Sequence, residues 1–179
     1  YYAYKKNNLS TIYNPVLDDA YFEKLKAPVT HRFFDGHNKV ILAVGRLTEA
    51  KNFGFLIRSF KALHDQHSET RLIILGEGEL RAEFEALVSD LGLKDVVDLP
   101  GFDSNPYAYF KYASLFVLSS NWEGLPGVLI QALASKVKVV STDCPSGPME
   151  ILDHAKFGLL VECNDQAGLT QAMQQAIFA

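Results

Sequence analysis

The chain has 179 residues, of which 48 % are hydrophobic and 21 % are charged. This length predicts one domain with a sizeable core, at roughly 100–200 residues per domain, and the composition excludes a disordered chain or a fibrous repeat. The net charge of -4 argues against a duplex nucleic-acid-binding protein, because such a protein needs a basic face.

Short apolar runs alternate with amphipathic stretches along most of the chain. Six apolar runs predict buried strands, at residues 39–44, 71–75, 96–99, 115–118, 137–141 and 158–161. Apolar side chains at helical spacing predict helices between and after them, within residues 53–63, 80–91, 107–112, 128–133, 147–152 and 169–177. Residues 1–38 lie outside this alternation, so we interpret them as a linker segment that precedes a domain of residues 39–179.

The predicted strands are continuous apolar runs rather than alternating ones, which is typical of strands covered on both faces. The sequence therefore predicts an α/β fold, a doubly wound parallel sheet of about six strands. Ligands bind such sheets at the carboxyl ends of the strands. The candidate site loops are those that follow Val44, Leu75, Leu99, Leu118, Ser141 and Val161.

The loop after the first strand contains two cations, Arg46 and Lys51, before a predicted helix. Cations beside a helix start favour an anion, most naturally a phosphate. The alternative is a pair of solvated surface charges, with Asn52 as an ordinary helix cap.

The loop after the second strand contains two glycines, Gly76 and Gly78, around Glu77. Glycines let the backbone approach a ligand closely, although a simple strand-ending turn explains them as well. The spacing is not that of a dinucleotide fingerprint, which needs three glycines after the first strand.

The loop after the fourth strand combines a tight turn with a carboxylate. Gly124, Pro126 and Gly127 shape the turn, and Pro126 suits the first turn of a helix. The amides of Gly127 and Val128 are then expected to be free, and Glu123 is expected to be exposed beside them. A carboxylate is a good acceptor for sugar hydroxyls, but a solvated loop glutamate is the plain alternative.

The sequence predicts no metal site and no disulfide framework. His64 and His67 have no third ligand nearby, and Cys144 and Cys163 have no histidine at a usual metal spacing. No apolar run approaches the roughly 18 residues of a membrane helix, and no secretory leader is visible. We therefore expect a cytoplasmic protein.

Taken in order, several segments resemble the carboxy-terminal half of GT-B glycosyltransferases of the retaining family 4, also called group 1. The matching segments are GRL at 45–47, KN at 51–52, GEG at 76–78, PGF at 100–102, YFKYA at 109–113, EGLP at 123–126, VVSTDCPSGPME at 139–150 and FGLLV at 157–161. Each segment is a weak signal by itself, but the ordered set is specific and covers nearly the whole chain.

The resemblance implies a nucleoside diphosphate sugar, taken as a UDP-sugar, as donor substrate, with no cofactor. Arg46 and Lys51 would grip the diphosphate, and Glu123 would contact the sugar as the first glutamate of the family's E-x7-E motif. Together these three form the expected catalytic set. The full expected donor-binding set is Gly45, Arg46, Lys51, Gly76, Glu77, Gly78, Phe102, Glu123, Gly124, Pro126, Gly127, Val128 and Gln131.

Position 131 departs from the family pattern. The motif's second glutamate, which holds the ribose hydroxyls, is replaced here by Gln131. Glutamine keeps one acceptor oxygen but loses the charge and the two-oxygen chelation, so the resemblance implies a weakened ribose contact.

The family's intact enzymes carry a second, amino-terminal half with the acceptor pocket. The resemblance thus implies a fragment of a larger enzyme that transfers a sugar with retention to a saccharide or lipid-linked acceptor, in bacterial surface glycan synthesis. The intact enzyme would bind peripherally at the inner face of the membrane, and the fragment alone would not transfer sugar. The alternatives are a nucleotide-sugar epimerase of GT-B shape, separable by C2 exchange, and a non-catalytic nucleotide-binding module.

Overall fold

The computed structural model describes residues 15–179, which form a six-stranded sheet in the order β3-β2-β1-β4-β5-β6. Every pair of neighbouring strands is parallel. The strands are β1 Lys39–Val44, β2 Thr70–Leu75, β3 Val97–Gly101, β4 Leu115–Leu118, β5 Val139–Thr142 and β6 Leu159–Val161. The predicted doubly wound α/β fold is confirmed.

Helices connect the strands and cover both faces of the sheet. They are α1 Asp19–Leu25, α2 Phe53–His64, α3 Arg81–Asp90, α4 Tyr107–Phe110, α5 Gly127–Ala134, α6 Pro148–Ile151 and α7 Gln166–Phe178. A 3-10 turn, Glu49–Lys51, precedes α2. Within residues 15–179, no helix is both long enough and apolar enough to span a membrane.

Successive residues of β1 are buried on opposite faces of the sheet. Ile41 and Ala43 belong to the core beneath α2, α3 and α7, whereas Val40 and Leu42 belong to the core beneath α4 and α5. Both faces are therefore dry, which explains why the strand is a continuous apolar run.

Strand β3 is longer than the sequence predicts. The sequence predicts a strand that ends at Leu99, before Pro100, but β3 runs on to Gly101, which pairs with Leu75 after a register shift. That expectation is wrong because β3 is an edge strand. A proline there has no neighbour to which it must donate a hydrogen bond.

The described part of the predicted linker segment, residues 15–38, packs on the domain. Asp18 caps the start of helix α1, and its Oδ1 accepts a hydrogen bond from the Tyr21 N–H at 2.8 Å. Tyr21 is buried, stacks edge-on against Tyr107, and donates its hydroxyl to the Gln131 carbonyl at 2.5 Å. Residues 1–14 lie outside the described part of the chain, and the domain boundary at residue 39 stays a prediction.

Candidate functional site

An ion pair joins the loops after β1 and β4 at the carboxyl edge of the sheet. The Lys51 Nζ donates to Glu123 Oε1 at 2.5 Å, and the Ser120 hydroxyl donates to the same oxygen at 2.6 Å. The Glu123 side chain is 9 % exposed and that of Lys51 is 21 % exposed. The expectation of an exposed, solvated Glu123 is therefore wrong. The 3-10 turn after β1 brings Lys51 over the carboxylate and covers it.

Further hydrogen bonds hold these two loops together. The Ser119 hydroxyl donates to the Lys51 carbonyl at 2.8 Å, and the Asn121 N–H donates to the Ala50 carbonyl at 2.8 Å. Two consecutive carbonyls of the 3-10 turn are thus anchored to the residues that follow β4. The position of Lys51 is determined by the sheet rather than by a free loop.

Asn52 has a different role from the expected helix cap. It occupies the N-cap position of α2 with a left-handed backbone, but its side chain accepts no hydrogen bond from the helix. Its Nδ2 instead donates to Asn121 Oδ1 at 2.9 Å and to Asn164 Oδ1 at 3.1 Å. One amide therefore links the loops after β1, β4 and β6.

The two glycines after β2 are required by a neighbouring loop. Gly76 has φ +145°, and a Cβ there would lie 1.8 Å from the Gly45 carbonyl oxygen. A Cβ on Gly78 would lie 2.4 Å from the Leu47 carbonyl oxygen. The close backbone approach expected from these glycines is thus an approach of two loops to each other, and their donor contact stays a prediction.

An open cleft of about 490 Å³ lies where the loops after β1, β2 and β3 meet. Six of the expected donor-binding residues line it, namely Gly45, Arg46, Gly76, Glu77, Gly78 and Phe102. The Phe102 side chain is 79 % exposed. Within residues 15–179, the Arg46 side chain makes no hydrogen bond and no ion pair, so its charge is available to a ligand.

The turn that leads into α5 differs from the expectation, since Pro126 lies just before the helix and not in its first turn. Pro126 has φ -73° and ψ 78°, the geometry of an inverse γ-turn, and the Gly127 N–H donates to the Leu125 carbonyl at 2.8 Å. The expectation of a free Gly127 amide is therefore wrong, because this turn uses it internally. The Val128 N–H makes no such bond within the described chain.

Comparison with known proteins decides the family. The family model described as "Glycosyl transferases group 1" matches residues 30–177. The chain belongs to the group 1 glycosyltransferase family. The resemblance inferred from the ordered motifs is thus confirmed.

Two relatives show how much of a whole group 1 glycosyltransferase this chain represents. An uncharacterized glycosyltransferase of Methanocaldococcus jannaschii is 47 % identical over 63 % of this chain and 28 % of its own length. An N-acetylgalactosamine-N,N'-diacetylbacillosaminyl-diphospho-undecaprenol 4-alpha-N-acetylgalactosaminyltransferase of Campylobacter jejuni is 42 % identical, over 76 % of this chain and 37 % of its own length. The chain therefore spans well under half the length of these relatives.

Solved structures agree with the GT-B fold. TarM of S. aureus, in a complex that includes UDP, has a TM-score of 0.77 at 23 % identity and covers 86 % of this chain and 30 % of its own. The carboxy-terminal domain of a group 1 family protein, LpcC of Francisella tularensis, has a TM-score of 0.71 at 22 % identity. It covers 79 % of this chain and 77 % of its own. At these identities the likeness shows the fold alone.

Gln131, the residue that departs from the group 1 motif, is directed towards a neighbouring tyrosine. Its Nε2 donates to the Tyr107 hydroxyl at 3.4 Å. The amide oxygen is left as an acceptor on this side of α5. Sequence reasoning did not identify Tyr107, Ser119 or Ser120 as part of the site. The polar pair that directly follows the apolar run 115–118 was the available signal for the two serines.

His64 and His67, the two histidines considered for a metal site, contact other residues. His64 lies 3.2 Å from the Thr70 hydroxyl, and His67 stacks on Phe178. Among residues 15–179, no three His, Cys, Asp or Glu side chains are placed to hold a metal ion.

The raised pKa of the Cys144 thiol predicts that the free energy of unfolding depends on pH. Burial, and then the nearby Cys163 and Glu123, raise its pKa from 9.0 to about 11. As pH rises past 9, the unfolded chain loses this proton before the folded chain does, so folding stability falls. We expect the ionisation of this thiol to lower the free energy of unfolding by roughly 2–3 kcal/mol between about pH 9 and pH 11.

Urea unfolding at a series of pH values, in the wild type and in Cys144→Ala, measures this effect. The free energy of unfolding is expected to fall less steeply with pH in the variant. Parallel curves for the two proteins would show that the thiol titrates normally.

Proposed function

We propose that the intact protein transfers a sugar from a UDP-sugar to a saccharide or lipid-linked acceptor in bacterial glycan synthesis, with retention at the anomeric carbon. Residues 39–179 bind the donor. The observation that carries this proposal is the Lys51–Glu123 pair beside the Arg46 cleft, at the carboxyl edge of a doubly wound sheet. The cations at this edge of the sheet suit the diphosphate of the donor, and the carboxylate suits the hydroxyls of its sugar.

Each part of the donor has a partner of suitable chemistry at this edge. The cleft lined by Gly76 and Phe102 takes the nucleoside, and Arg46 at its border meets the diphosphate. Fixed positive groups stabilise the charge that grows on a departing diphosphate, which is the main electrostatic demand of the reaction. Glu123 accepts hydrogen bonds from hydroxyls of the sugar, while Gln131 accepts one from the ribose.

The names of similar proteins support this assignment. The Campylobacter jejuni relative is named as an N-acetylgalactosaminyltransferase acting on a diphospho-undecaprenol compound. A structurally similar protein, HepE of Anabaena, has been solved in complex with UDP and glucose. We further propose that the rest of the intact protein supplies the acceptor domain and a peripheral membrane contact. The 179 residues alone then bind the donor without transferring it.

Calorimetric titration of the chain with UDP-, GDP- and ADP-glucose and with UDP-N-acetylgalactosamine tests donor binding. Binding of a UDP-sugar in preference to the other nucleotides supports the proposal, and no binding of any of them contradicts it. Product stereochemistry, measured on the intact enzyme, tests retention.

Removal of the Arg46 side chain is expected to weaken binding of UDP but not of uridine. Arg46→Ala deletes a charge-assisted contact of about 1.5–3 kcal/mol, which corresponds to a loss of about 10- to 100-fold in UDP affinity. Arg58→Ala, an exposed arginine on α2, is the matched control and should bind UDP as the wild type does. Equal losses for UDP and uridine would place Arg46 away from the phosphates.

A further inference from the structure

Two buried serines directly follow strand β4, and their hydroxyls donate to different partners. Ser119 and Ser120 are each 1 % exposed, so their hydroxyls need hydrogen-bond partners inside the protein. The Ser119 hydroxyl donates to the Lys51 carbonyl at 2.8 Å, whereas the Ser120 hydroxyl donates to Glu123 Oε1 at 2.6 Å. Of these two serines, Ser120 is the one whose hydroxyl contacts the Glu123 carboxylate.

Ser120 is itself held in place by the next strand. Its carbonyl accepts a hydrogen bond from the Thr142 hydroxyl at 2.7 Å, at the end of β5. Thr142 is 1 % exposed, and β4 and β5 pair directly through Leu118 and Ser141. The Ser120 backbone is therefore held, just after the end of β4, by a buried side chain of β5. Rigid elements position a side chain more accurately than loops do.

The two oxygens of Glu123 have different surroundings. Oε1 receives both the Lys51 ammonium and the Ser120 hydroxyl. Oε2 receives no hydrogen bond from residues 15–179. Since an ionised carboxylate accepts at both oxygens, one oxygen is used by the protein and the other is open to a ligand.

We propose that Ser120 is a positioning residue for the donor sugar. Ser120 and Lys51 both donate hydrogen bonds to Oε1 and so fix the plane of the Glu123 carboxylate. Oε2 is then the oxygen that accepts a hydrogen bond from a hydroxyl of the sugar. This inference rests on the proposed function, in which Glu123 contacts the donor sugar. It predicts that Ser120 affects the sugar-bearing ligand, and only through Glu123.

A purely structural role for Ser120 predicts a different result. Loss of its hydroxyl would then lower stability and would weaken UDP and UDP-sugar binding alike. A positioning role predicts a loss confined to the UDP-sugar, and no further loss once Glu123 has been replaced. Non-additivity of two substitutions in direct contact is the signature of such coupling.

Calorimetry on the full 179-residue chain with UDP and with UDP-N-acetylgalactosamine separates these roles. The variants are Ser120→Ala, Glu123→Gln and the double variant. The control is Ser59→Ala, a buried serine whose hydroxyl donates to the Phe55 carbonyl at 3.0 Å within α2. We expect Ser120→Ala to weaken UDP-N-acetylgalactosamine binding about 5- to 20-fold and UDP binding less than about 2-fold. The double variant should be no weaker than Glu123→Gln.

Three outcomes would overturn the inference: a Ser120→Ala chain that binds both ligands like the wild type, equal losses for both ligands, or additive losses in the double variant. If Ser120→Ala does not fold, Ser120→Cys fills the same space with a weak donor and is expected to show the same selective loss. A wild-type chain that binds neither ligand contradicts the proposed function itself. Normal binding with an unaffected Ser120 variant contradicts only the positioning role.

Discussion

Replacement of Glu123 by glutamine is expected to lower kcat of the intact enzyme by about 10- to 1000-fold, which corresponds to an increase of roughly 1.4–4 kcal/mol in the activation free energy. Hydrogen bonds from sugar hydroxyls to Glu123 strengthen as the ring flattens towards the transition state, so their loss appears in kcat. Steady-state kinetics with a UDP-sugar donor measure this loss.

The same substitution is also expected to lower stability. The ammonium of Lys51, whose side chain is 21 % exposed, would face a neutral amide in place of a carboxylate. A pair that is largely but not fully buried suggests a cost of about 1–2 kcal/mol, between the values for exposed and buried ion pairs. Urea unfolding of Glu123→Gln measures this cost.

The matched control for this experiment is Glu162→Gln, which removes a carboxylate from an exposed residue after β6. It should leave both kcat and the free energy of unfolding near the wild-type values. If Glu123→Gln keeps the wild-type kcat and only loses stability, Glu123 merely holds the Lys51 turn in place.

Gly76→Ala is expected to destabilise the fold by at least about 3 kcal/mol, a decrease in Tm of roughly 6–12 °C for a chain of this size. Its Cβ would lie 1.8 Å from the Gly45 carbonyl oxygen, and the φ of +145° is a conformation that alanine rarely adopts. The backbone oxygen cannot move without opening the junction of the loops after β1 and β2. Thermal unfolding followed by circular dichroism measures the decrease.

Two other glycines separate the clash from the backbone strain. Gly92 has φ +69° with no atom within 4 Å of an added Cβ, so Gly92→Ala tests strain alone. Gly124 has open space around an added Cβ and no positive φ, so Gly124→Ala is the control that introduces neither a clash nor strain. We expect the destabilisation to decrease in the order Gly76, Gly92, Gly124. A Gly76→Ala protein as stable as Gly92→Ala would mean that the two loops move apart freely.

The layout of the fold could be predicted from the sequence because it depends on burial along short segments. The segments 72–75 and 115–118 are apolar at every position, which is typical of strands covered on both faces. The loops after these strands therefore lie at one edge, so the sequence by itself places the loops that contain Arg46, Gly76 and Glu123 there. The ordered motifs identified the family for the same reason, since each is a short local pattern.

The surroundings of the site residues depended on the tertiary structure. Lys51 and Glu123 are 72 positions apart, and no local pattern encodes their contact or the burial that follows from it. The same is true of Gly76, whose missing side chain makes room for the Gly45 carbonyl, and of Gly127, whose amide is used within its own turn. Sequence periodicity records whether a side chain is buried. The partner of a polar group at a loop junction is decided by how separate loops dock, and that is a property of the folded chain alone.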